Sequence, residues 1–242
     1  MNPQHNTRQP FRDTILDCHT HRISEGAIVC VDPPQLDATL SLHPGIRFST
    51  GIHPWRLESM TDEEFEREMR IILRNATLPN AAAIGETGLD ALRGGDLERQ
   101  RKALMRHVEA SEKMHLPLIL HAVRTGHEII RLRKQLHGNI SQPWIWHGFR
   151  GNPVQAAQFC SMQDCYISLG ARFNPSTAAN MTTDRLLTET DAAEENIEEI
   201  IRKVAETRRC LPGEIMESVA TNTRRIFRST SSAGTTPDSN PY

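Results

Sequence analysis

The 242-residue chain has five cysteines (Cys18, Cys30, Cys160, Cys165 and Cys210), an odd number with no C-x-x-C pair among them. That spacing argues against a disulfide framework and a zinc knuckle, and it fits a reducing compartment. No apolar run approaches the roughly 18 residues of a membrane span. The opening MNPQHNTRQPFRD lacks the apolar core of a signal peptide. A cytoplasmic location is therefore expected, with no membrane partner. An excess of one charge is missing too. The formal net charge is -2, so no global positive field draws in nucleic acid, and any phosphate must be held by local Arg residues or by metal. Linkers and low-complexity tracts are absent between residues 14 and 228. One domain is expected there, between a flexible N-terminus (1–13) and a disordered polar tail (229–242). No protein partner is indicated, and a monomer is expected.

What is present is a repeated unit. Eight short β-prone runs end in polar clusters: Thr14–His19, Ala27–Val31, Arg47–Ile52, Ala82–Glu86, Pro117–His121, Pro143–His147, Cys165–Leu169 and Arg185–Thr190. Helical periodicity separates the later ones, over Glu63–Arg74, Leu97–Met114, Glu128–Leu136, Pro153–Cys160, Glu195–Ala205 and Pro212–Phe227. Alternating strands and helices predict a parallel sheet, and eight units predict closure into a TIM-type (β/α)8 barrel, for which about 250 residues is typical. The first two crossovers are abbreviated. Only Arg22–Gly26 joins the first two runs, and the Pro-rich Asp32–Ile46 holds one helical turn at most. An open α/β sheet is the structural rival.

In such a barrel the active site lies at the C-terminal ends of the strands. Six of the eight runs end there in a metal-competent side chain: His19 with His21, then His53, Glu86, His121, His147 and Asp191. Strand alternation points Asp17, His19 and His21 the same way and turns Cys18 away as a buried small hydrophobe. Imidazole suits Zn, Mn, Fe and Co, carboxylate suits harder ions, and a carboxylate can bridge two. A lone His at a strand end is more often a surface or core residue. Six such placements together favour a site for two divalent cations, with Zn, Mn, Mg or Co as candidates. His107, His115 and His137, on or just after helices, are read as structural or solvated. Arg124, Arg150 and Arg172 follow the fifth, sixth and seventh runs, and their guanidinium groups can bind phosphate; a solvated surface Arg is the alternative for each. Arg150, three residues past His147, ranks first. Trp144 and Trp146 share a strand face and read as core, whereas Trp55 has a rim position where a base can stack.

The stretches LDCHTHR, GIHPW, AIGETGLD followed by Gln100 and Arg101, LPLILHAV, WHGFRG, LLTETD and NTRRIF occur in that order from Thr14 to Phe227. Together they resemble the TatD-type metal-dependent hydrolases, and the compact HGFRG and GARFN pattern resembles a shorter branch of that family. The resemblance implies a TIM barrel with a two-metal site. It implies His19, His21 and Asp191 on one ion, a bridging Glu86, and His121 and His147 on the second, with His53 a substrate-pocket residue beside them. It further implies phosphodiester hydrolysis by a metal-bridging water, with Asp191 orienting that water and taking its proton, and DNA or a small phosphodiester as substrate. The alternative is a metal-dependent amidohydrolase or lactonase acting on a small non-nucleic substrate. A non-catalytic metal-binding protein is a third class, disfavoured by the intact ligand set.

Overall fold

The computed structural model describes residues 14–24 and 26–227; the expectations for 1–13 and 229–242 fall outside those described residues. Eight parallel strands stand side by side in sequence order: β1 (Asp17–Thr20), β2 (Ala27–Cys30), β3 (Arg47–Thr50), β4 (Ala81–Asp90), β5 (Leu118–Val123), β6 (Trp144–Trp146), β7 (Cys165–Leu169) and β8 (Leu186–Thr188). The last meets the first at a seam just past β8. The Asp191 N–H donates to the His19 carbonyl at 2.9 Å, and the His21 N–H donates to the Asp191 carbonyl at 3.2 Å. Thr190 donates to the Asp17 carboxylate through its amide (2.9 Å) and its hydroxyl (2.7 Å). These bonds exclude the open sheet and make the (β/α)8 barrel.

The helices are α1 (Leu36–Leu42), α2 (Asp62–Asn75), α3 (Leu97–Met114), α4 (Gly126–Gln135), α5 (Pro153–Cys160), α6 (Pro175–Asn180), α7 (Ile197–Arg208) and α8 (Pro212–Ile226). Among the described residues no helix joins β1 to β2. The β2–β3 crossover is longer than the single turn expected, because Pro33 and Pro34 begin a short 3-10 turn that runs straight into α1. Proline at a first turn loses no hydrogen bond and pre-sets φ, so the pair starts a helix instead of preventing one. The same logic explains α6, which the periodicity did not predict. Asn174 caps it, accepting from the amides of Ser176 and Thr177, and Pro175 opens it. Capping boxes start α2 (Thr61 with Glu64) and α7 (Asn196 with Glu199), each cap contributing about 1 kcal/mol. None of the helices among the described residues is long and apolar enough to cross a membrane.

Alternation along the strands divides the core. Cys18, Ile28, Ala83, Ile119, Ile145, Tyr166 and Leu187, one from each of seven strands, pack inside the barrel. Trp144, Trp146, Leu118, Leu120 and Ile167 face the helices. Simple alternation fails at β1, where pairing with β2 shifts register between Asp17 and Thr20. Asp17 therefore serves the seam instead of sharing a face with His19 and His21. Its burial there pushes its carboxyl up to about 6, against the two bonds from Thr190. Cys18 is buried as expected and donates to the Ser168 hydroxyl across the barrel.

Strand β4 runs on to Asp90, four residues past the expected end at Glu86. Glycine makes this possible. Gly88 has φ 150°, and a Cβ there would lie 1.9 Å from the His121 carbonyl oxygen of β5. One helix histidine is structural, as expected. His107 of α3 is fully buried, its Nε2 accepts from the Ile52 amide at 3.0 Å, and its Nδ1 is 2.8 Å from the Ala103 carbonyl. The helix thereby fixes the backbone one residue before His53.

Gly88→Ala is expected to cost about 3 kcal/mol or more through strand separation and backbone strain; urea denaturation that matched the wild type would contradict this close approach. Burial pushes His107 down from 6.5 to about 4. The unfolded chain therefore binds the extra proton first, and the stability His107 contributes is present above about pH 6.5 and lost as pH falls toward 4. The advantage of wild type over His107→Gln should shrink by about 3 kcal/mol between pH 7 and pH 4. Urea midpoints for both proteins across that range test it, and a constant difference would show that His107 is not buried neutral.

Candidate active site

Residues that end separate strands meet at the C-terminal mouth of the barrel around the Glu86 carboxylate, which is only 3% exposed. One oxygen, Oε2, is 3.2 Å from His19 Nε2 and 3.5 Å from His21 Nε2. The other, Oε1, is 2.7 Å from His121 Nδ1, 2.7 Å from His147 Nε2 and 3.2 Å from His53 Nε2. Asp191 brings Oδ1 to 3.5 Å from His21 Nε2 and 3.8 Å from His19 Nε2. Its backbone φ of 52° is held by the seam bonds, so the residue that closes the barrel also presents a carboxylate to the site.

The six residues expected as ligands thus converge, and two sets of donors flank the two oxygens of one carboxylate. Three overlapping groups have ligand atoms within 4.8 Å of one another: His19, His21, Cys30 and Glu86; His19, His147 and Asp191; His53, Glu86 and His121. His53 stands nearer the centre than a pocket residue would, as a neighbour of His121. Its ring also accepts from the Trp55 amide at 3.2 Å, which caps the turn it begins.

The electrostatics follow from burial. Desolvation raises the Glu86 carboxyl, but the charge of His147 and the hydrogen bonds from His121 and His147 outweigh it and hold it well below the usual carboxylate range. Burial lowers His147, yet the charges of Glu86 and Glu189 hold it well above the usual imidazole range. The hydrogen bond to Glu86 raises His21 against partial burial. His19 is fully buried, and neither of its ring nitrogens makes a well-formed hydrogen bond, although Nε2 faces the Glu86 carboxylate. An imidazole buried without well-formed hydrogen bonds is costly, and a metal ion is the partner that its nitrogens and the surrounding His and carboxylate donors suit.

Three residues here were not among the sequence candidates. Asp90 Oδ2 lies 3.2 Å from His121 Nε2, the nitrogen opposite the one facing Glu86. Glu189, fully buried, has Oε1 3.3 Å from His147 Nδ1 and accepts from the Gly148 amide at 2.6 Å. Each carboxylate backs a histidine. Glu189 was legible: two residues past the inward Leu187, it faces the same way. Asp90 was hidden by ending the fourth run too early. Cys30, at the end of β2, has a thiol pushed up to about 12, mainly by burial.

Beside the centre lies a cleft of about 520 Å³, formed by the loops after β6, β7 and β8 and lined by Arg150, Arg172, Phe173, Glu189 and Asp191 among others. Arg124 is exposed, with φ 61°, and does not line it. His127 is also exposed.

Residues 3–228 match the family described as TatD related DNase. An uncharacterized metal-dependent hydrolase of Escherichia coli strain K12, YjjV, is 28% identical over 199 residues, 73% of this chain and 74% of that protein. Its crystal structure superposes with a TM-score of 0.70 at 25% identity, covering 83% of this chain and 85% of that one. A protein of Rahnella sp. strain Y9602 named as the 3'-5' ssDNA/RNA exonuclease TatD is 32% identical over 105 residues, 43% of this chain and 35% of its own. A TatD family hydrolase from Entamoeba histolytica shares the fold, with a TM-score of 0.73 at 14% identity. With the family matched over nearly its whole length and its metal-competent residues gathered at the mouth of the barrel, the chain belongs to the TatD related DNase family of metal-dependent hydrolases.

Proposed function

We propose that this chain is a two-metal phosphodiesterase acting on DNA or a small phosphodiester. The observation that carries the reading is the buried Glu86 carboxylate, with imidazoles on both of its oxygens. His19, His21 and Asp191 would hold one divalent cation, His121 and His147 the second, with Glu86 between them. Zn, Mn, Mg and Co all suit this donor set. Two such ions would activate water at neutral pH and stabilise the charge on the leaving oxygen.

The protein's own groups do the rest. Asp191 stands at the edge of the cleft, with its side chain 35% exposed, where it can take the proton of an attacking water. Arg150 and Arg172 line the same cleft, and their planar forks suit a phosphate's paired oxygens. Arg124, outside the cleft, is not part of this substrate set. Asp90 and Glu189 hold the His121 and His147 rings by their far nitrogens, which leaves the near ones free for metal. The reading includes one barrel domain over residues 14–228, monomeric and cytoplasmic. Glu86 occupies the place where a binuclear amidohydrolase often carries a bridging modified lysine, so amide or lactone hydrolysis is the second choice.

The deciding assay strips the protein with chelator, restores Mg, Mn, Zn or Co, and offers a phosphodiester reporter and single-stranded DNA. Cleavage should return with metal and fall about 100-fold or more in Asp191→Asn. A protein that binds two ions per chain and cleaves no phosphodiester would move the assignment to the amidohydrolase class. Glu189→Gln should weaken metal binding about 10- to 100-fold, measured by competition with a chromogenic chelator. Unchanged affinity would remove Glu189 from any supporting role.

A further inference from the structure

Of the three tryptophans in the chain, Trp144 and Trp146 are buried in the core while Trp55 is 45% exposed. Trp55 sits in the turn after β3, two residues past His53. Its ring meets the His53 ring edge-on at 4.7 Å between centroids and the His121 ring at 5.9 Å. An exposed indole on a loop would ordinarily be free to swing. This one is anchored, because its Nε1 donates to Asp90 Oδ2 at 2.6 Å. The other Asp90 oxygen accepts from the amides of Leu92 (2.8 Å) and Arg93 (3.1 Å). One buried carboxylate therefore fixes the indole, the loop that carries Arg93, and a histidine of the metal centre. The Arg93 guanidinium lies over the indole, 4.6 Å from its centroid, is exposed, and makes no ion pair among the described residues.

We propose that Trp55 and Arg93 form a nucleobase-stacking subsite at the rim of the active site. It rests on the phosphodiesterase reading and extends it, naming the substrate as one that carries an aromatic base next to the phosphate being cleaved. A rigid, half-exposed ring pays little ordering entropy to stack. Every base offers it a π-face, so the contact favours nucleotides over plain phosphodiesters without selecting a sequence. Arg93 adds a cation that can lie on the ring or reach a neighbouring phosphate. This subsite, on the loops after β3 and β4, lies apart from the cleft of Arg150 and Arg172, which is built from the loops after β6, β7 and β8. The phosphate over Glu86 would thus have a base on one side and the guanidinium groups on the other.

The test uses the full chain loaded with metal, and two single-stranded oligonucleotides that differ only in whether the residues flanking the cleaved bond carry bases or are abasic. Trp55→Ala should raise KM roughly 10- to 100-fold on the base-bearing strand and change it little on the abasic one, while Trp55→Phe should keep most of the wild-type affinity. Loss of the Asp90 bond is common to both variants, so an effect acting through His121 would appear equally with Phe and on both strands; that result would overturn the proposal. A second readout does not need turnover. Thymidine 5′-monophosphate should quench the tryptophan emission of Asp191→Asn, ribose 5-phosphate should not, and the quenching should vanish when Trp55→Ala is added. Equal quenching by both ligands, or quenching that survives Trp55→Ala, would overturn the stacking subsite alone. Failure of the wild-type enzyme to cleave either strand would overturn this proposal together with the phosphodiesterase reading.

Discussion

A carboxylate at 3% exposure has lost nearly all its water, and an ionised group in that state must be repaid by opposite charge or by hydrogen bonds. At Glu86 the compensation comes from histidines at four different strand ends: β1, β3, β5 and β6. No single hairpin or helix can deliver those groups to one point. A closed ring of parallel strands can, because every strand ends at the same mouth. The charge of Glu86 is therefore a constraint on the whole barrel, and metal binding and barrel geometry are one requirement. The Glu86 charge raises the proton affinity of His147 and His21, and divalent cations would compete with protons for the same nitrogens.

The seam shows the same economy. Asp191 closes β8 onto β1 through its backbone and faces the site through its side chain. Thr190 ties the other side of the seam to Asp17, and Arg22 reaches the carbonyls of Glu194 and Glu195 beyond it. Among the described residues the crossover from β1 to β2 carries no helix, and this polar lacing holds the barrel together on that side. It also ties the backbone of the residue proposed as proton acceptor directly to the backbone of His19 and His21.

The barrel was legible because its signals are local. Each strand is a short apolar run, most helices have clear periodicity, and parallel pairing in sequence order follows from their alternation. The site was legible for a related reason, since a strand end in a (β/α)8 barrel is a known direction in space. What was not legible depended on contacts between distant segments. The shift in β1 that sends Asp17 to the seam needs β2 and β8 to be in place. The extension of β4 to Asp90 depends on Gly88 meeting the backbone of His121. Asp90 was missed for that reason, and with it the link between His121 and Trp55. Arg124, Arg150 and Arg172 follow successive strands and look alike in sequence; only the paths of the loops separate the two that line the cleft from the one that does not.

Net charge bears on what such a site can hold. A protein of formal charge -2 exerts no global positive field on a polyanion, and nucleic-acid affinity rises with the number of phosphates neutralised. On the phosphodiesterase reading, the positive charge beside the reacting phosphate would come from the metals, from Arg150 and Arg172 in the cleft, and from Arg93 at the rim. Affinity must then come from short-range contacts at the reacting phosphate, and an anchored aromatic ring is the sequence-neutral means of adding it. A strand whose bases are already unstacked meets that ring at no cost, whereas a duplex must first open. On the phosphodiesterase reading, a site built around Glu86 would therefore favour a single-stranded segment over paired DNA.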